Sequence, residues 1–149
     1  MQQRLKEGSL ELKKTNDLKR LVRSMIEEGW NRGDIAAFEV SLADSVHFHY
    51  AGTPRTLTRD DMAQLVLRWR EAFPDLRMEV EELLAEGELV AARLTLSGTH
   101  RAPWAGVAPT GKRIKMALMM FFRFEGAKMV ELWESDDQLG LRRQLGIGT

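Results

Sequence analysis

The chain has 149 residues, of which 22 are basic and 22 acidic, so its formal net charge is zero. This length supports one domain with its own hydrophobic core. The absence of cysteine excludes thiolate catalysis, cysteine-ligated metal centres and disulfides, and it agrees with a cytoplasmic protein. Because the chain has no basic run and no long apolar segment, we expect neither a nucleic-acid partner nor a membrane span.

The first fifteen residues differ from the rest of the chain because they are mostly charged and carry few large apolar side chains. We therefore expect residues 1–15 to form a mobile N-terminal arm and residues 16–149 to form a single domain. A helix is predicted to start near Asn16, because apolar residues then recur at helical spacing. It is expected to end in the Gly29–Gly33 region, after which Asp34 caps a short helix.

A strand is predicted at Val46–Tyr50, where apolar residues alternate with His47 and His49. The two histidines therefore share one face of the strand. A turn is expected at residues 52–54, before the next helix.

The pair Thr58 and Asp61 forms a capping-box pattern that predicts the start of this second long helix. Its apolar stripe includes Trp69 and Phe73, and Pro74 ends it.

The remainder reads as strands at Leu76–Leu84, Leu89–Thr99, Ile114–Phe124 and Met129–Glu134, followed by a short helix over residues 137–146. Short connections favour antiparallel neighbours. Two of these strands approach the upper limit of ordinary strand length, which indicates a bent sheet. The predicted fold class is α+β, with a strongly curved antiparallel sheet wrapped around the N-terminal helices.

The strand at Ile114–Phe124 is apolar on both faces over its centre. Helices that cover one face of a sheet do not explain an apolar second face. We therefore predict a homodimer that buries Ala117, Met119 or Phe121 across the outer face of the sheet.

Glu134 and Asp136 share one face of the last strand with apolar neighbours. A carboxyl group beside buried apolar groups has a raised pKa, which suits an acid or base near neutral pH. The alternative is that both carboxylates only mark the point where the strand emerges into water.

Three other side chains could contribute to a site. His47 and His49 could line a polar pocket or remain solvated, but a metal is not expected because no third ligand stands at a recognisable spacing. Arg93, on the same strand face as Thr95, could orient a substrate oxygen or form a structural ion pair. The sequence has no phosphate-binding glycine loop, nucleophile elbow or zinc motif, so we expect no cofactor.

Several motifs together resemble the SnoaL-like polyketide cyclase family of the NTF2-like superfamily over residues 18–146. The motifs are WNRGD at 30–34, WREAFPDL at 69–76, GTH at 98–100, PTGKR at 109–113 and DQLGL at 137–141 through QLG at 144–146. The resemblance implies an NTF2-like cone with a central pocket between the curved sheet and the helices, usually as a dimer.

Cyclases of this family close a ring by intramolecular aldol condensation without a cofactor, using a pocket carboxylate as acid and base. Their catalytic aspartate corresponds to Glu134 here, and a pocket histidine corresponds to Met120. In the related limonene-epoxide hydrolases, the arginine and one aspartate correspond to Arg93 and Glu134, the second aspartate to Thr95, and a tyrosine and an asparagine to His47 and His49.

The resulting hypothesis is an acid/base enzyme that acts on a small, apolar, oxygen-bearing molecule, with Glu134 as proton shuttle. Arg93 would stabilise a developing oxyanion, and His47 and His49 would donate hydrogen bonds or supply a second base. We expect these side chains to converge on one cavity whose substrate-binding residues are Thr95, Met116, Leu118, Met120 and Asp136. The alternatives are epoxide hydrolysis or isomerisation in the same pocket, and a non-catalytic binding or dimerisation module.

Overall fold

Four α-helices, one π-helical segment and six strands make up the fold over residues 1–148, the part of the chain that the computed structural model describes. The helices are α1 (Gln2–Ser24), α2 (Ile35–Val40), α3 (Arg59–Ala72) and α4 (Gln138–Leu145), and the π-helical segment (Met25–Asn31) continues α1. The strands are β1 (Leu42–Tyr50), β2 (Thr53–Thr58), β3 (Arg77–Glu86), β4 (Leu89–Thr99), β5 (Arg113–Glu125) and β6 (Lys128–Asp136). Among these residues, no helix has both the length and the apolar character needed to cross a membrane.

Helix α1 begins at Gln2, so the predicted helix start near Asn16 is wrong. Residues 2–14 are exposed, whereas Leu18 and Val22 are buried. The exposed part contains strong helix formers such as Leu, Lys, Glu and Gln, so its backbone can remain helical without a packed face. The lack of an apolar stripe in residues 2–14 indicates that this part of the helix does not pack against the domain, but it does not exclude a helix. The mobility of residues 1–15 stays a prediction.

The π-helical segment places Trp30 and Asn31 at the start of a tight connection to α2. The guanidinium of Arg70 donates to the carbonyl oxygens of both residues, at 2.8 Å each. These bonds satisfy backbone acceptors that the end of a helix leaves free. The predicted cap is confirmed, because Asp34 Oδ1 accepts from the backbone N–H of Ala37 at 3.0 Å.

The six strands form one sheet in the order β2-β1-β6-β5-β4-β3. Four neighbouring pairs are antiparallel, but β1 and β6 are parallel, which corrects the prediction of an antiparallel sheet. The short-connection argument applies to strands that are consecutive in the chain. It does not apply to β1 and β6, which are separated by α3 and four other strands.

Strand β2 was missed by the sequence analysis, which expected only a turn at residues 52–54. It is exposed along most of its length and lies at the edge of the sheet, where Pro54 is tolerated. It therefore shows no alternation of buried and exposed residues.

The capping box that follows it is confirmed, since Asp61 N–H donates to Thr58 Oγ1 at 3.1 Å and Thr58 N–H donates to Asp61 Oδ2 at 2.8 Å.

The sheet is irregular at three strand pairs, where the register shifts between β1 and β6, between β3 and β4, and between β5 and β6. Such bulges bend strands and increase their twist. The helices pack against the inner face of the sheet, as predicted. Leu18, Val22, Met25 and Phe73 are buried there, while Trp69 is only partly buried.

The two faces of the sheet differ in burial. On β5, Met116, Leu118 and Met120 are buried beneath the helices. The alternate residues point outward, and Met119 and Phe121 are 60% and 49% exposed. This outer face is thus the surface that the predicted homodimer would cover.

Candidate active site

A cavity of about 440 Å³ opens between the helices and the sheet, in the size range of small-molecule sites. It is formed by the ends of β1 and β6, the start of β2, the π-helical segment, α3 and the loop that follows β4. Its polar lining consists of Tyr50, Arg55, Arg68, Glu71, Glu134, Asp136 and Gln138.

Glu134 lies at the inner end of this cavity. On β6 it stands between Tyr50 of β1 and Met120 of β5, which are its partners in the two neighbouring strands. It also lines two small apolar hollows of about 20 and 10 Å³ deeper in the core. Met120 lines the first hollow, and Met116 and Leu118 line the second. The carboxyl group therefore stands where the open cavity meets the hydrophobic interior.

The environment of Glu134 changes its acidity. Burial, followed by the negative charge of Asp136 and hydrogen bonding with it, raises the pKa of Glu134 from 4.5 to about 7. Burial disfavours the ionised form of Glu134 because the carboxylate loses water, and the charge of Asp136 disfavours it because the two negative charges repel. At neutral pH the group is thus divided between its acid and its base form, which is the condition for accepting and returning a proton.

Asp136 is held in place by two donors on the same side of the cavity. Tyr50 Oη donates to its Oδ1 at 3.2 Å, and Gln138 Nε2 donates to its Oδ2 at 2.7 Å. Burial, then the charge of Asp136, raises the pKa of Tyr50 above its ordinary range, so this phenol stays protonated and keeps donating. These bonds stabilise the Asp136 carboxylate beside Glu134.

Tryptophan rings form the apolar walls of the cavity. Trp30, Trp69 and Trp104 all line it, and the rings of Trp69 and Trp104 are 5.2 Å apart. Trp104 lies in the loop after β4, where Ala105 and Gly106 both have positive φ values and close a tight turn to Val107. These flat, rigid surfaces suit a largely apolar ligand.

His100 anchors the base of that loop. Its ring is fully buried and stacks on Phe73 at 5.4 Å, and its Nδ1 accepts from the backbone N–H of Thr110 at 3.2 Å. The GTH and PTGKR motifs thus hold the loop that places Trp104 in the cavity wall.

The predicted histidines do not face this cavity. His47 is exposed on the outer face, with its Nδ1 3.4 Å from Thr56 Oγ1. His49 lies 3.3 Å from Glu131 on the same face and stacks on Trp133. The inward position next to His49 belongs to Tyr50, which shares the core-facing side of β1 with the buried Phe48.

Arg93 and Thr95 also point away from the cavity. Arg93 donates to both carboxylate oxygens of Glu82, at 3.1 and 3.4 Å, and Thr95 donates to Glu81 at 2.9 Å. The prediction that these residues and the histidines converge with Glu134 is therefore wrong. The reason is strand alternation, because Leu94 and Leu96 occupy the inward positions of β4.

The rest of the predicted set does come together around the cavity. Glu134 and Asp136 line it directly, and Met116, Leu118 and Met120 form the apolar floor beneath Glu134. The roles assigned to these residues remain proposals.

Sequence reasoning missed Tyr50, Gln138 and the tryptophan walls. A usable signal for Tyr50 was its place on the apolar face of β1, because the apolar face of a half-buried strand points to the core. Gln138 follows β6 and reaches Asp136 only because the chain turns into α4 there. No signal in the chain order brings Trp30 and Trp104 to one cavity.

Within residues 1–148, no three histidine, aspartate or glutamate side chains are grouped closely enough to bind a metal ion.

Known proteins share this fold. AclR, a candidate hydroxylase from Streptomyces galilaeus, is 31% identical, with 89% of this chain and 97% of AclR covered and a TM-score of 0.79. TsrD from Streptomyces laurentii is 27% identical, with coverages of 86% and 93% and a TM-score of 0.77. IdmH, a candidate polyketide cyclase from Streptomyces antibioticus, is 27% identical, with coverages of 87% and 98% and a TM-score of 0.73. A search of curated proteins finds no match to this chain.

The sequence also matches a family profile. The profile of the SnoaL-like polyketide cyclases aligns with residues 20–145, which include the last turn of α1 and every element after it up to α4. The NTF2-like α+β cone expected from the sequence is confirmed by the shared fold of these relatives. With most of its length matched, the chain belongs to the SnoaL-like polyketide cyclase family.

Proposed function

We propose that this protein catalyses a cofactor-independent acid/base reaction, the intramolecular aldol ring closure of a small, largely apolar, polyketide-like molecule. The observation that carries the proposal is the position of Glu134, a carboxyl group with a pKa of about 7 at the inner end of a tryptophan-lined cavity. A group that titrates near neutral pH can act as base and then as acid in one turnover.

The reaction requires one proton to leave carbon and one to reach oxygen. The ionised Glu134 takes a proton from a carbon next to a substrate carbonyl. The resulting enolate carbon attacks a second carbonyl carbon of the same molecule, which forms the ring bond and leaves an alkoxide. The protonated Glu134 then donates its proton to that alkoxide, so the enzyme returns to its starting state and the substrate mass is unchanged.

Asp136 and its two donors support this cycle without contributing a second proton carrier. The Asp136 charge raises the pKa of Glu134, and Tyr50 and Gln138 keep that charge in a fixed position. The apolar floor beneath Glu134 limits the access of water, which keeps the effect of this charge strong.

The hydrolase alternative has less support. It depends on an arginine beside the catalytic carboxylate, whereas Arg93 is bound to Glu82 on the outer face. Isomerisation by proton transfer needs only the Glu134 carboxyl and remains compatible with the cavity. A protein that only binds its ligand would form no ring-closed product.

The test is an assay on synthetic diketones and triketones that can close a six-membered ring. Ring closure is followed by chromatography with mass detection, since the product has the same mass as the substrate and a different retention time. We expect product with the wild type and its loss with Glu134→Gln. Equal product formation by the two proteins would contradict the assignment of Glu134.

The homodimer is part of the same proposal. Met119 and Phe121 are exposed on the outer face of β5, and such a pair of large apolar side chains marks an interaction surface. A second copy of the chain placed on this face would bury both without covering the cavity, which opens on the other side of the sheet.

A further inference from the structure

Two arginines of the cavity lining have no established role. Arg55 comes from β2 and Arg68 from α3, and both are exposed, so they mark the solvent side of the cavity. Within residues 1–148, neither guanidinium forms a hydrogen bond or a close ion pair. Arg68 helps to lower the pKa of Asp61 through its charge alone. The Asp61 carboxylate accepts its hydrogen bond from Thr58 instead.

Arg55 is positioned by an aromatic ring. Its guanidinium carbon lies 5.8 Å from the centre of the Phe48 ring, which itself lines the cavity. An arginine held over a ring by a cation–π contact keeps its N–H donors free for a ligand. Its charge also reaches Tyr50, where it opposes the effects that raise the pKa of this phenol, burial first among them.

The cavity is therefore polarised. Its inner end carries the Asp136 carboxylate beside Glu134, and its solvent side carries two guanidinium groups together with the single carboxylate of Glu71. An anionic group on a ligand is repelled from the inner end and attracted to the outer one. Such a charge pattern selects one orientation for a ligand that is charged at one end only.

We propose that the substrate carries a carboxylate, which Arg55 and Arg68 bind at the solvent side of the cavity while the carbonyl-bearing apolar part extends inward to Glu134. The identity of the reacting end rests on the proposed function, but the binding of the carboxylate does not. The solvent side carries two guanidinium groups and one carboxylate, a balance that matches a monoanion better than the dianion of a phosphate monoester. Arginine also binds the planar carboxylate with two parallel hydrogen bonds.

The experiment measures the affinity of the wild-type protein for three probes by titration calorimetry. The probes are 2-naphthoate, its neutral amide 2-naphthamide, and 2-naphthyl phosphate, which share one flat apolar body. We expect 2-naphthoate to bind about tenfold or more tightly than the amide, since a charge-assisted hydrogen bond contributes on the order of that factor. We expect this preference to weaken with added salt, and 2-naphthoate to bind more tightly than the phosphate.

Variants assign the preference to the two arginines. Arg55→Gln and Arg68→Gln should each reduce the affinity for 2-naphthoate several-fold, and the double variant should bind acid and amide equally. Arg93→Gln is the matched control, because Arg93 lies on the outer face of the sheet. Both arginines are exposed, so the variants are expected to fold, and circular dichroism verifies this.

The result separates this inference from the proposed function. Glu134→Gln should retain the preference for 2-naphthoate even though it loses ring closure. Equal affinity of the wild type for acid and amide, including no measurable binding of either, would overturn the inference. So would a preference that survives in the double variant, or tighter binding of 2-naphthyl phosphate than of 2-naphthoate.

Discussion

Strand β6 carries two glutamates whose environments are opposite. Glu131 faces the outside of the sheet, where Arg123 Nε lies 3.1 Å and His49 Nε2 lies 3.3 Å from its carboxylate. Partial burial works to raise the pKa of Glu131, but the hydrogen bonds with Arg123 and His49 lower it overall. Glu134 faces the cavity, where burial and Asp136 raise its pKa to about 7.

The comparison shows that the chemistry of a carboxyl group on this strand depends on the face it occupies. The outer carboxylate has a cationic partner in Arg123, which favours its ionised form, as in a structural ion pair. The inner one has a like charge beside it and lacks a cation, so it exchanges its proton near neutral pH. A perturbed carboxyl group in a cleft is a candidate for function, and its outer neighbour is its natural control.

The largest expected effect is on turnover, once a substrate is available. Glu134→Gln keeps the shape of the side chain and removes its titrating proton, so kcat should fall by about 10²-fold or more. Glu131→Gln should leave kcat within about twofold, because this carboxylate does not reach the cavity. Steady-state kinetics on the two purified variants checks the contrast, and similar losses in both would remove the distinction between the faces.

The second prediction concerns stability against pH. Between pH 4.5 and about 7 the unfolded chain releases the Glu134 proton while the folded protein retains it, so the free energy of unfolding should fall as the pH rises. At about 1.4 kcal/mol per pH unit, the full loss is about 3 kcal/mol. It should appear as the difference between the unfolding curves of the wild type and Glu134→Gln, measured with urea at a series of pH values.

Glu131 should behave in the opposite sense. Its pKa is lowered in the folded state, so its contribution to stability is present above its unfolded value and is lost as the pH falls below it. Glu131→Gln should therefore lower the free energy of unfolding at neutral pH, and this deficit should disappear as the pH falls into the acid range. A difference curve for Glu134→Gln that is flat from pH 4.5 to 7 would show that Glu134 is an ordinary solvated carboxylate.

The third prediction tests the charge that Asp136 places beside Glu134. In Asp136→Asn this charge is absent but the burial remains, so the pKa of Glu134 should fall by roughly one pH unit and stay above 4.5. The carboxyl carbon of Glu134 in carbon-13 NMR reports the titration directly. Asp137→Asn is the control, because Asp137 caps α4 by accepting from Gly140 N–H at 2.8 Å; an equal shift in both variants would argue against a specific pair.

The smallest expected effect on the cavity comes from the outer face of β5. Phe121→Glu places a charge at the centre of the proposed dimer interface, so it should convert a dimer into monomers in sedimentation equilibrium. Because Phe121 points away from the cavity, the affinity for 2-naphthoate should change less than about twofold. A wild-type protein that sediments as a monomer at micromolar concentration would contradict the dimer.

Individual residues show how far sequence reasoning reached. Glu134 and Asp136 were identified because two carboxylates on one strand face next to apolar residues are unusual, and both line the cavity. His47, His49 and Arg93 were placed with them because residue correspondence to distant relatives outweighed the alternation of each strand. The apolar face containing Phe48 and Tyr50 was the better guide, since burial of that face determines which side chains point inward.

The sequence by itself determined the family, the α+β class, most strand positions and the two carboxylates on the last strand, because these depend on local spacing and periodicity. Tertiary structure alone decided the parallel pairing of β1 with β6, which brings Tyr50 to Glu134. It also decided that Trp30, Trp69 and Trp104 share one cavity and that Arg55 and Arg68, from β2 and α3, both line it. These features join elements that are far apart in the chain, and no local pattern specifies which distant faces will meet.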